Sequence, residues 1–329
     1  NNGNDLIVYG ECGDDCTANS TISVYATGPG GIALKQRFGL NARRGQWSKG
    51  HPPRLLDINS DGHKDLFVNH YDNYDGSVGT QHGGIWLNNG NGTFAVAVSY
   101  GEGDKPGSVA IGDLDGDGDD DFFLGGARGH PGQIFLNTGG GKFAPFEANA
   151  LAAHADSEDA GALFFDADAD GDLDLYVASG GVEDDAGHLN YRDRLYLNEG
   201  KGILSDATKD VLPEARLSSG PVAAADFDRD GDLDLFVGGR TIPGHYPLAP
   251  ASRLLVNSGG KFTLATAEQL PGVQQLGMVT AAIWSDANGD GWPDLLLAVE
   301  WGAVRYFEND GGKLVDKTRV ARLADRLGW

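Results

Sequence analysis

One nine-residue pattern recurs five times in this chain of 329 residues, and few folds can accommodate it. Residues 226–234 show it whole. Asp226, Asp228, Asp230 and Asp234 stand at positions one, three, five and nine, with Gly231 at position six. Carboxylates at every second position of a tight loop converge and repel one another. A hard cation that prefers oxygen ligands removes the repulsion, and Ca²⁺ accepts about six to eight of them in flexible geometry. Position seven, Asp232, would offer its backbone carbonyl. Gly231 takes the sharp turn that a Cβ would hinder. A helix–loop–helix calcium site closes with Glu at position twelve and leaves into a helix. Here the closing ligand is Asp234, and the exit, residues 235–239 (LFVGG), reads as a short strand ended by glycines. The loop therefore joins two strands.

The other copies begin at Asp57, Asp113, Asp166 and Asp286, so successive copies are 56, 53, 60 and 60 residues apart. Their candidate ligands are Asp57, Asn59, Asp61, Asp65 and the His63 carbonyl; Asp113, Asp115, Asp117, Asp121 and the Asp119 carbonyl; Asp166, Asp168, Asp170, Asp174 and the Asp172 carbonyl; and Asp286, Asn288, Asp290, Asp294 and the Trp292 carbonyl. Five Ca²⁺ ions are the cofactor this implies. Affinity follows ligand charge, so the first and fifth loops, each with one Asn, are expected to bind most weakly.

An apolar strand precedes each loop, as in residues 109–112, 162–165, 222–225 and 281–285. A hairpin follows each one: an apolar strand, an Asn/Gly turn and another strand, as in residues 85–94 and 195–204. One unit is strand, acidic loop, strand, long loop, strand, tight turn, strand. Four strands repeated at this period predict an all-β chain of four-stranded β-propeller blades. About six units are present; six is favoured by count and seven stays open. Runs such as Phe122-Phe123-Leu124 and Leu295-Leu296-Leu297 lack alternation, as strands buried on both faces between blades would. No linker-like break appears, so residues 1–329 are expected to form one domain. Helix signals are confined to a turn near residues 265–270 and a polar tail at 319–326.

The formal charge is −23, and eighteen of the acids are the loop ligands. Five Ca²⁺ would leave about −13. Nucleic acid and anionic membrane surfaces are disfavoured as partners, and no apolar run is long enough to span a bilayer. Asn1 is not an initiator Met, so the chain reads as processed or excised. Cys12 and Cys16 are the only cysteines; a local disulfide suits an oxidising compartment, and a thiol metal site would need two further soft ligands. Cytosolic Ca²⁺ is too scarce for loops of extracellular affinity, which favours an extracellular, cell-surface or periplasmic location. Asn19-Ser20-Thr21 and Asn91-Gly92-Thr93 fit the N-glycosylation sequon.

Up-and-down strand order puts the acidic loops at one end of every blade and the long second-to-third-strand loops at the other. His70, Tyr71, Tyr74, His130, His188, Tyr191, His245, Tyr246 and Trp301 fall in those long loops. Three readings of them stay open: a glycan- or protein-binding face, a polysaccharide lyase or hydrolase using His and Tyr as acid and base, or exposed loops that simply collect such residues. No catalytic motif is present, and Glu183, Asp193 and Glu300 are acids the metal loops do not explain.

With the five loops and the Gly-Gly pairs at 125–126, 180–181 and 238–239 in view, the chain resembles the FG-GAP/VCBS repeats of bacterial secreted proteins. These are related to the propeller of integrin α-subunits. Residues 191–198 and 239–247 further resemble the subset found beside an ASPIC/UnbV-type region. The resemblance implies a propeller with Ca²⁺ in these loops, commonly of seven blades, and says nothing of the partner.

The first unit reads as broken. Residues 4–10 align with the second half of an acidic loop and its exit strand, making Asp5 a ninth-position ligand without the earlier positions. The part not seen is equivalent to residues 279–289. Three explanations fit. The strand lies elsewhere in the polypeptide, or another subunit or protein partner donates it and so builds a filament, or the blade is incomplete.

Overall fold

The computed structural model describes residues 6–10, 21–28, 31–39, 54–57, 59, 61–69, 83–91, 93–95, 108–140 and 142–326. Asp5, Cys12, Cys16, His70, Tyr71 and Tyr74 lie outside the described residues. The chain divides into two compact units. The first holds residues 1–106, 119–121 and 136–144; the second holds 107–118, 122–135 and 145–329.

The strands form antiparallel meanders in chain order. The first sheet has three: β1 (Leu6–Gly10), β2 (Thr21–Gly28) and β3 (Gly31–Gly39). Five four-stranded sheets follow. They are β4 (Arg54–Leu56), β5 (Asp65–Asn69), β6 (Gly83–Asn88) and β7 (Phe94–Ala95); β8 (Val109–Gly112), β9 (Asp121–Leu124), β10 (Gln133–Asn137) and β11 (Phe143–Phe146); β12 (Glu158–Phe165), β13 (Asp174–Gly180), β14 (Arg194–Asn198) and β15 (Leu204–Asp206); β16 (Ser219–Ala225), β17 (Asp234–Gly239), β18 (Arg253–Ser258) and β19 (Lys261–Leu264); and β20 (Met278–Ser285), β21 (Asp294–Glu300), β22 (Arg305–Asn309) and β23 (Leu314–Asp316).

The acidic pattern sets where the second strand starts. In all five four-stranded sheets that strand begins at the ninth-position aspartate. In four of them the aspartate pairs with the last residue of the first strand: Asp65 with Leu56, Asp174 with Phe165, Asp234 with Ala225 and Asp294 with Ser285. The expected non-alternating strands are largely confirmed, since β9, β13 and β17 are buried at every residue. β21 differs. Leu296 and Ala298 are only partly buried, because within the second unit only the sheet β16–β19 packs on it. Two single-turn helices, α1 (Asn149–Ala152) and α2 (Thr208–Val211), follow the fourth strands of their sheets, where the pattern gave no helix signal.

In the second unit the first strands β8, β12, β16 and β20 touch in series, as the inner strands of propeller blades do. The approach is close: a Cβ on Gly161 of β12 would stand 2.2 Å from the Gly220 carbonyl oxygen of β16. Apolar side chains fill the gaps between sheets. Phe165, Tyr176, Leu195, Leu235, Val237 and Phe262 pack between the fourth and fifth sheets. Phe227, Phe236, Leu254, Val279, Leu295 and Phe307 pack between the fifth and sixth.

Candidate metal centres

Each acidic loop is built on its ninth-position aspartate. Asp65, Asp121, Asp174, Asp234 and Asp294 are all fully buried. One carboxylate oxygen of each accepts the backbone N–H of an asparagine at the end of the third strand. Asn88, Asn137, Asn198, Asn257 and Asn309 donate at 2.7, 2.7, 2.8, 2.8 and 2.8 Å. In three loops the other oxygen accepts the N–H of position two: Ala167 at 2.7 Å, Phe227 at 3.1 Å and Ala287 at 3.1 Å. These aspartates therefore fold the loop as well as offering charge to it.

Gly231 has φ +100 with open space around its Cα, so the conformation and not crowding calls for glycine there, as the pattern suggested. Among the described residues position four is also left-handed, and in the third and fourth loops it carries a side chain: Ala169 at φ 62 and Arg229 at φ 61.

The loops then separate into two kinds. In the second, third and fourth, position six donates its N–H to one oxygen of the first aspartate: Gly118 to Asp113 at 3.0 Å, Gly171 to Asp166 at 3.1 Å and Gly231 to Asp226 at 3.2 Å. The other oxygen of each is buried with no partner, as is one oxygen of Asp168 and of Asp228. Carboxylate oxygens of Asp113, Asp115 and Asp121, of Asp166, Asp168 and Asp174, and of Asp226, Asp228 and Asp230 come within 4.8 Å of one another. Burial first, then the neighbouring carboxylates, push Asp115, Asp168 and Asp228 above their ordinary range. Burial pushes Asp174 and Asp234 up to about 7. Buried anionic oxygens that face one another without donors fit a divalent cation with oxygen ligands.

The first and fifth loops are satisfied from within. Asp61 N–H donates to Asp57 at 3.0 Å, and Asp290 N–H to Asp286 at 3.0 Å, at the oxygen the other loops leave unpartnered. The Asn59 and Asn288 amides donate to Asp61 and Asp290 at 3.1 and 2.8 Å. In the fifth loop Arg229 adds a positive charge, its guanidinium on the Gly291 carbonyl and 4.1 Å from the Trp292 ring centroid. Hydrogen bonds from the Trp292 N–H and then the Asn288 amide hold Asp290 below its ordinary range.

The asparagines are residues that the pattern showed only as turn formers. Asn198, Asn257 and Asn309 are buried, and their amides reach the neighbouring sheet's acidic loop. They donate to the carbonyls of Leu114, Ala167 and Phe227 at 2.8, 2.8 and 2.7 Å. Each of these acceptors is the second residue of an acidic loop.

At the opposite end of the sheets the candidate binding residues have different roles. Tyr191 is buried; its hydroxyl donates to the Asp184 carbonyl at 2.8 Å and accepts the Asp184 N–H at 2.9 Å. His188 accepts the Asn190 N–H through Nδ1 at 3.3 Å. His245 Nδ1 lies 2.9 Å from the Pro243 carbonyl oxygen, and His130 is exposed. Tyr246 and Trp301 project into solvent. Of the unexplained acids, Asp193 is buried and paired with Arg253, and it also accepts the Tyr176 hydroxyl at 2.7 Å. Glu183 accepts the Val182 N–H at 2.7 Å, and Glu300 is paired with Arg240.

Residues 57–124, 113–177 and 182–237 match the model of an FG-GAP-like repeat, together more than half of the chain. A crystal structure of a protein from Lactobacillus plantarum is similar in fold, with a TM-score of 0.52 and 15% identity over 95% of this chain and 81% of that one. No curated protein matches the chain.

Proposed function

The chain belongs to the FG-GAP-like repeat family, and from that premise we propose that it is a calcium-stabilised β-propeller module. It works outside the cytoplasm and binds a protein or a glycan at the ends of its sheets opposite the acidic loops. One observation carries the metal part: buried carboxylate oxygens without partners occur in the second, third and fourth loops, and their counterparts in the first and fifth are hydrogen-bonded. Asp113, Asp115 and Asp121, Asp166, Asp168 and Asp174, and Asp226, Asp228 and Asp230 would hold the ions. A bound cation would neutralise the converging carboxylates and lock the loop that joins first and second strands. Three tight ions, not five, follow from the two kinds of loop.

Isothermal calorimetry with Ca²⁺, alongside thermal unfolding with and without EGTA, tests this. A ligand bound only by the folded state raises the midpoint. An unchanged midpoint sinks the calcium reading; five equivalent sites sink the division of the loops.

The binding part is supported by the way the long loops use their polar side chains. Tyr191 and His188 hydrogen-bond their own loop's backbone and so hold the shape of that loop. An extracellular location is in keeping with the family and with the calcium requirement. No helix among the described residues is long and apolar enough to cross a membrane. Assembly by strand addition rests on the three strands that the first sheet has among the described residues; light scattering that finds only a monomer counts against it.

A further inference from the structure

An open cleft of about 980 Å³ lies at the long-loop end of the sheet β20–β23, lined among others by Trp301, Tyr246, Glu300, Arg305, Asp316 and Arg319. We propose that this cleft binds an acidic saccharide, a uronic acid residue of a glycan, with its sugar face on Trp301 and its carboxylate at Arg319. The inference rests on the binding-module reading above and names the ligand class of that face.

The aromatic residues are held ready. Trp301 is 72% exposed and Tyr246 60%. Trp301 Nε1–H donates to the Tyr246 hydroxyl at 2.7 Å, and that hydroxyl donates to Glu300 at 3.1 Å. Glu300 is paired in turn with Arg240. This relay occupies the polar end of both aromatic side chains, which stand largely exposed. A ligand is then met by apolar π-surface, which suits the C–H face of a pyranose and not a ligand needing hydrogen bonds from these rings.

The backbone at Trp301 points the same way. The turn is closed by the Gly302 N–H on the Val299 carbonyl at 3.1 Å, with Trp301 at φ 58. Gly181, at φ 93, stands as far past Asp174 as Trp301 stands past Asp294. Where the earlier sheet has the residue that tolerates this conformation, the last sheet puts an exposed indole in it. Strain of this sort collects at ligand clamps.

Charge selects the acid. Arg305 is paired with Asp316 at 3.3 Å, and Glu300 with Arg240. Arg319 lines the cleft with no partner among the described residues. In a chain of net charge −23, the unneutralised charge in the cleft is a guanidinium, which pairs well with a carboxylate. Burial pushes the Glu300 carboxyl up, but the Arg240 bond and charge outweigh it and hold the group below its ordinary range. Glu300 therefore stays ionised at neutral pH and anchors the Tyr246 hydroxyl to Arg240.

The test is calorimetry at fixed Ca²⁺ with trisaccharides of galacturonate, mannuronate and glucuronate, with their neutral hexose counterparts as controls. At least one acidic trisaccharide is expected to bind. Trp301→Gly suits the left-handed φ, and is expected to keep the melting midpoint while weakening binding at least tenfold. Arg319→Gln is expected to bring the acidic-to-neutral preference close to one. No binding of any acidic trisaccharide, equal binding of the neutral ones, or affinity unchanged in Trp301→Gly would each overturn the proposal. A peptide array read with both proteins separates the two readings. Peptide binding that Trp301→Gly abolishes would refute the saccharide and keep the binding module. The EGTA melt judges the calcium reading independently.

Discussion

Asn257→Ala is expected to cost roughly 3–5 kcal/mol of stability, although the residue sits in what the sequence shows as a tight turn. Its side chain is 1% exposed. The amide donates to Ala167 O at 2.8 Å and to Leu233 O at 3.2 Å, and its oxygen accepts the Gly260 N–H at 3.0 Å. Three hydrogen bonds at about 1 kcal/mol each set the lower end, and buried carbonyls left without donors add up to about 2 kcal/mol. Asn88 supplies the contrast. It is only partly buried and makes two such bonds among the described residues, to Lys64 O and from Gly90 N–H, so Asn88→Ala is expected to cost about 1–2 kcal/mol. Asn257→Asp keeps the shape but replaces the donor by an oxygen facing two carbonyls. At pH 7 it is expected to be at least as damaging as alanine. Urea unfolding followed by tryptophan fluorescence, at constant free Ca²⁺, measures all three. A loss under about 1 kcal/mol for Asn257→Ala, or parental stability for Asn257→Asp, would show that the asparagine serves only the local turn.

Ala169→Gly is expected to stabilise the protein by about 0.5–1 kcal/mol in the same assay, because it relieves a left-handed residue at an exposed loop position. Asp193→Ala is expected to cost about 3–5 kcal/mol, since it leaves the buried Arg253 unpaired, whereas Arg128→Ala, at an exposed pair with Asp184, is expected to leave stability nearly unchanged; equal effects would refute the distinction. In metal-free protein the folded-state carboxyls of Asp174 and Asp234 lie at about 7, above the ordinary 3.8. Both hold protons that the unfolded chain has released, so stability is greatest below about pH 4 for these groups and is lost as pH rises through 7, by up to roughly 4 kcal/mol each. Saturating Ca²⁺ should abolish that loss, and a metal-free midpoint that rises from pH 5 to 7.5 would contradict it.

Strand positions were legible because the acidic pattern fixes a backbone path. Two oxygens of a buried aspartate must meet particular N–H groups, and the second strand starts at that residue in every four-stranded sheet. The difference between the loops was legible too, through Asn59 and Asn288, though only as a difference in charge. The structure adds that these amides close their loops from within. What the sequence concealed is long-range. Asn257 and Ala167 are 90 residues apart, and Arg253 and Asp193 are 60 apart. Nothing local marks an Asn-Ser-Gly-Gly turn as an anchor between sheets, or marks Asp193 as a buried acid inside a polar loop. The left-handed Ala169 and Arg229 were hidden for another reason: their residue types give no sign of a positive φ. Tyr191 and Trp301 looked alike as loop aromatics, and only burial parts them, one supporting its own loop and the other facing solvent.

The acidic loops and the asparagines form one continuous chain of contacts through the second unit. The Leu114 carbonyl receives the Asn198 amide, and the Asn198 N–H meets Asp174. Asp174 holds the N–H of Ala167, whose carbonyl receives the Asn257 amide. The Asn257 N–H meets Asp234, which holds the N–H of Phe227. The Phe227 carbonyl receives the Asn309 amide, and Asn309 N–H meets Asp294. A carboxylate that turns in its loop therefore tilts the peptide plane on which the next sheet is anchored. Calcium bound in the third loop is therefore expected to order the fifth sheet, and calcium bound in the fourth to order the sixth, which amide hydrogen exchange with and without EGTA would measure. The fifth acidic loop ends this series, and there the Asn288 amide bonds Asp290 and the Arg229 guanidinium bonds the Gly291 carbonyl.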